Sequence, residues 1–233
     1  MTTAAGALAA ATASLVVRHD VVGTMSAMVE DCAEVIGAQA AGLMIADGEG
    51  PLEVLVSSPR AARDLEMYEL QAGEGPCLDA FSSGVAVQVV GSDELLRRWP
   101  VFGRQLVDSG LRSVCACPLR WRGVTIGALN AFLETPDGLS EDQQVVLQAF
   151  ADVATIAVVH AGMPDLPDLG ALTHAALEAR TVVEQAKGVL AFQREVSMDQ
   201  AYDLLLHQAC EWGDPLEDTA RSIIDSAVRG RSR

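Results

Sequence analysis

Ser113-Val-Cys-Ala-Cys-Pro-Leu-Arg-Trp121 and Val124-Thr-Ile-Gly-Ala-Leu-Asn-Ala-Phe-Leu133 are separated only by Arg122-Gly123. Two apolar, β-branched runs around a two-residue turn ending in glycine predict a tight hairpin, and hence an antiparallel sheet. Working outward, Ala40 to Ala46 and Leu52 to Ser57 read as a second strand pair, and Val85 to Val90 is β-branched enough for a further strand. Between them the spacing turns helical. Met1 to Val17 and Arg18 to Gly37 predict two helices, Arg60 to Leu70 a short one, Leu78 to Ser82 a single turn, and Ser92 to Gly110 two short helices broken at Pro100. Ser140-Glu-Asp-Gln143 is a capping box that opens a helix running to about His160. The order predicts an α+β domain, an antiparallel sheet flanked by helices.

Ala161 to Gly170 carries two prolines and two glycines, which interrupt two helical patterns. A division follows: residues 1–161 as a sensor-like domain with an N-terminal helix, 162–170 as a linker and 171–233 as a three-helix bundle. In the bundle Leu172, Ala176, Ala179, Val183, Ala186 and Leu190 form one apolar stripe. Ser197-Met-Asp-Gln200 caps a second helix closed by Gly213, and Asp214-Pro215 opens a third. About 60 residues make a marginal core, so pairing of two chains through the long first helix is expected.

Composition narrows the function. The 233 residues carry a formal charge of −16, a pI near 4.5 and only 4% aromatic side chains. Broad electrostatic binding to DNA or to anionic membranes needs the opposite sign. From Pro164 onward there are 7 Lys and Arg against 12 Asp and Glu, so any nucleic-acid contact must be local. Five scattered cysteines suit a reducing cytoplasm better than a disulfide framework, no run is apolar enough for a membrane helix, and no metal-ligand spacing is present.

Two resemblances sharpen this reading. Leu15 to His160 resembles a GAF domain of the kind found in actinobacterial regulators, through Leu70-Gln-Ala-Gly-Glu-Gly-Pro-Cys77, Arg112-Ser-Val-Cys-Ala-Cys-Pro-Leu119 and Gly127-Ala-Leu-Asn130. Leu172 to Val228 resembles an ANTAR domain, through Arg180-Thr-Val-Val-Glu-Gln-Ala-Lys-Gly-Val-Leu190, then Ser197, Ala201-Tyr202, Leu205, Ala209 and Ala220. The second resemblance implies an RNA-binding module that promotes transcription antitermination by holding a leader RNA in paired small-loop hairpins. The first implies a sensor cavity near Cys77, Phe81, Cys115, Asn130 and Phe132. The residues name no cofactor, and the signal can be a small molecule or a redox change of Cys77, Cys115 and Cys117.

Arg180, Lys187 and Arg194 recur at seven-residue steps, which places them within about 40° of one another on a helix. Gly188 inside that helix costs about 1 kcal/mol relative to Ala, which suggests close approach by a neighbouring helix or by RNA. Tyr202 offers a ring for an unpaired base, and Arg221 a further cation. The sequence departs from the family at Leu206-His207, where a basic pair is usual, leaving the titratable His207. Two other readings stay open: a regulator that docks a protein instead of RNA, and a thiol reductase on the GAF scaffold. No catalytic residue is singled out.

Overall fold

A computed structural model describes residues 3–17, 21–46, 50–58, 60–161 and 169–230. Its sheet has five strands, β1 (Ala40–Ala46), β2 (Leu52–Ser58), β3 (Val87–Val90), β4 (Ser113–Trp121) and β5 (Val124–Leu133), in the spatial order β2-β1-β5-β4-β3. All neighbours are antiparallel. The hairpin forms where the sequence predicts it: Arg122 and Gly123 both take positive φ, 50° and 87°, the two-residue turn whose twist matches its strands.

Away from the tip of the β4–β5 hairpin the central strands are buried at every position rather than alternating, because helices cover both faces. On one face lie α1 (Ala4–Val17), α2 (Val21–Ile36) and α7 (Glu141–Ala161), packed on Cys115, Cys117, Leu119, Leu129, Ala131 and Leu133. On the other lie α3 (Arg60–Ala72), α4 (Pro76–Ser83), α5 (Ser92–Arg98) and α6 (Phe102–Asp108), over Val114, Ala116, Ala128 and Phe132. Trp99, Phe102 and Phe132 stack edge to face there with centroids 6.4 Å apart.

The C-terminal helices are α8 (Leu169–Arg194), α9 (Met198–Trp212) and α10 (Leu216–Gly230). The linker expected at 162–170 falls largely on residues 162–168, outside the described residues. Both capping boxes are formed. Gln143 N donates to Ser140 Oγ at 3.3 Å and Gln200 N to Ser197 Oγ at 3.2 Å, each returned by the glutamine side chain. Of the predicted stripe, Ala176, Ala179, Val183, Ala186 and Leu190 are buried against Ala201, Leu205, Ala209 and Ala220, and the Leu172 side chain lies outside what is described. This small core is continuous with the α2 and α7 side of the sheet, since α8 packs on α7, α2 and β2. Among the described residues no helix is long and apolar enough to cross a membrane.

Candidate functional site

Beneath α3 lies a group of buried polar side chains. Asn130 projects from β5, Cys77 opens α4 behind Pro76, and Glu66 and Glu69 come from one face of α3; all four are fully buried. Asn130 Nδ2 donates to Cys77 Sγ at 3.0 Å and to Glu66 Oε1 at 3.5 Å. Gly75, at the N-cap of α4, has no side chain with which to cap it. Glu69 does so instead: its Oε1 accepts from the amides of Cys77 at 2.7 Å and Leu78 at 3.2 Å. Two glycines make the room. A Cβ at Gly42 would collide with the Glu66 carboxyl, and one at Gly75 with the Glu69 side chain.

Burial dominates the chemistry. It pushes the Glu69 carboxyl up to about 8 against the two amide hydrogen bonds that favour its charge, and holds Glu66 well above the carboxylate range, with the Glu69 charge adding to the effect. The Cys77 thiol is likewise raised well above its ordinary value by burial and then by Glu69 and Glu66. A helix N-terminus lowers a thiol pKa when water is near; here burial acts in the opposite direction and is the larger effect. Glu66 Oε2, Glu69 Oε2 and Asn130 Oδ1 have no hydrogen-bond partner among the described residues.

Of the expected cavity residues, Cys77, Asn130 and Phe132 share this face, with Phe81 half-buried at its margin. Cys115 does not join them. It points with Cys117 to the α2 and α7 side, as strand alternation puts those two on one face. A disulfide from Cys77 to either would have to cross the sheet.

The basic ribbon on α8 is divided by the fold. Lys187 is only 7% exposed: its Nζ donates to Glu184 Oε1 at 2.7 Å and lies 5.2 Å from the centroid of the Tyr202 ring. Glu184 also accepts from Arg63 Nη1 of α3, through Oε2 at 2.8 Å. Arg180 is half-buried, and burial and the Arg63 charge pull its pKa down. Together with Tyr202 these side chains line a cleft of about 410 Å³ between α8, α9, β2 and α2. Gly188, Arg194, His207 and Arg221 remain on the open surface. Leaving out α8's own backbone, nothing among the described residues lies within 4 Å of a Cβ built on Gly188. His207 Nδ1 is 3.6 Å from Glu211, and Arg221 pairs with Glu217.

A GAF domain model matches residues 18–159 and an ANTAR domain model residues 171–224. The chain belongs to the GAF domain family and carries an ANTAR domain. Among solved structures, the GAF domain of an Acinetobacter phosphoenolpyruvate-protein phosphotransferase superposes with a TM-score of 0.57 at 15% identity, covering 70% of this chain and 96% of that one. The GAF domain of a Coxiella burnetii phosphoenolpyruvate-protein phosphotransferase gives 0.55 at 15%, covering 68% and 94%. A GAF domain region of a membrane protein from Geobacter sulfurreducens gives 0.52 at 18%, covering 59% and 92%. At such identities the likeness shows the fold alone. No curated protein matches the sequence.

Sequence reasoning missed Glu66, Glu69 and the Arg63–Glu184 pair. Two acids three apart on a short helix look like a solvated face. The available signal was Gly42, a glycine within an otherwise apolar strand, which marks close approach by another group.

Proposed function

We propose that this GAF–ANTAR protein is a signal-responsive, RNA-binding regulator that acts as a transcription antiterminator, gripping paired small-loop hairpins in leader RNA. The observation that carries this reading is the ANTAR match on a bundle whose long helix α8 keeps Gly188 and Arg194 open to solvent. An exposed helical glycine with no packing neighbour among the described residues is accounted for by a partner outside the chain. Arg180, Lys187, Arg194, Tyr202, His207 and Arg221 supply the remaining contacts, phosphate and base together.

The GAF domain is the sensor. Three buried oxygens without partners among the described residues, near Cys77 and Phe132, favour a small ligand rich in hydrogen-bonding groups over a redox signal. The full burial of Cys77, with Cys115 on the far face of the sheet, supports a regulatory protein over a thiol reductase. The reading includes a cytoplasmic protein divided at 162–170, working as a homodimer so that two hairpin loops are held at once.

The test is a titration with an RNA bearing two adjacent small-loop hairpins, beside a loop-scrambled RNA, at two salt concentrations. Loop-dependent binding that weakens with salt is expected. Equal binding of both RNAs, or none, would favour a protein partner.

A further inference from the structure

Three of the seven residues assigned to RNA, Arg180, Lys187 and Tyr202, line a cleft between the bundle and the GAF domain instead of the outer face of the bundle. The cleft they share with Val54 to Ser58 and Arg63 is the size of a small-molecule site, too narrow for a hairpin loop with its flanking backbone. Its lining also includes Glu30, Asp199 and Asp203, which repel phosphate. Contact with all seven residues and the docked position of α8 are therefore mutually exclusive.

We infer that the GAF domain is an intramolecular competitor of RNA: docking of the bundle against β2 withholds three of the seven ANTAR recognition residues, and the pair between Arg63 of α3 and Glu184 latches it. This rests on the RNA-binding reading and adds its regulation. The latch is suited to reversal. Its side chains keep 35% and 28% of their exposure, and a partly hydrated pair adds little to stability. Glu184 serves both states, bound to Arg63 and Lys187 when docked and to Lys187 alone when released. The apolar contact of α8 with α7 and α2 sets the docked geometry, and a signal need supply only the modest differential affinity that tips a two-state equilibrium.

The test turns on the sign of an effect. Arg63 lies on the GAF domain, and R63E makes an acidic protein more acidic, so electrostatics alone predicts weaker RNA binding. Release of the latch predicts the opposite: the full-length R63E chain binds the two-hairpin RNA about fivefold more tightly than wild type, the factor equivalent to a pair worth about 1 kcal/mol. Small-angle scattering without RNA should show R63E more extended and the charge swap R63E/E184R compact again, which separates release from misfolding. Weaker or unchanged RNA binding by an extended R63E overturns the inference, as does R63E as compact as wild type. If R63E is extended and neither protein binds RNA, the antiterminator reading itself fails, and this inference with it.

Discussion

Gly42 on β1 and Glu66 on α3 occupy complementary space: the carboxyl lies where any other residue would carry its Cβ. Gly42→Ala should therefore cost about 2–3 kcal/mol by overpacking. The effect should largely vanish in an Glu66→Ala background, and a urea-unfolding double-mutant cycle measures the coupling.

Protonation of α3 makes stability fall as pH rises. The folded chain holds protons on Glu69 and Glu66 that the unfolded chain releases near 4.5. The stabilisation is complete below about pH 4.5 and is lost progressively up to about 8 for Glu69, a change on the order of a few kcal/mol. Urea midpoints should drop over this range, and Glu69→Gln, which still accepts from the Cys77 amide, should flatten the curve.

Thiol reactivity should follow burial. Cys32, Cys77, Cys115 and Cys117 are buried and Cys210 is exposed. Burial, with smaller effects of Cys117 and Asp31, pushes Cys32 up to about 12. At pH 8 a disulfide reagent should modify one thiol rapidly, Cys210→Ser should abolish that phase, and the other four should react only on unfolding.

Gly188→Ala separates folding from recognition. With open space around the position, alanine should stabilise α8 by up to about 1 kcal/mol and raise the melting temperature. Against the two-hairpin RNA the same variant should bind at least severalfold more weakly.

Lys187 and Arg194, one ribbon by sequence, should behave differently. Arg194→Ala should lower RNA affinity and reduce the salt slope by about 1 with the melting temperature unchanged. Lys187→Ala removes an ion pair to Glu184 and a ring contact to Tyr202, so it should also cost about 1 kcal/mol of stability. Calorimetry beside RNA titration distinguishes the two.

Local chemistry made much of the fold legible. Arg122-Gly123, the boxes at Ser140 and Ser197, and Pro100 each act within a few residues, and each element they mark is formed. Strand alternation likewise paired Cys115 with Cys117. The site was legible only in part, because its decisive contacts are distant in sequence. The single helical turn expected at Leu78 extends over Pro76–Ser83 because Glu69, seven residues before Pro76, caps it. The ribbon Arg180, Lys187 and Arg194 was readable as a helical face, but not its division, which is made by Arg63 and β2 at 121 residues' separation for the pair.

α3 holds Glu69 and Glu66 inward and Arg63 outward, with Arg63 and Glu66 one turn apart. Three residues of helix rise about 4.5 Å, so both groups ride on one stiff segment. α3 therefore carries on one rigid piece both the buried Glu66 carboxyl and the guanidinium that reaches Glu184, so a rigid shift of the helix cannot displace one without the other. The shortest covalent path from the buried carboxyls of the GAF domain to the ANTAR bundle's ion pair is one turn of a single helix.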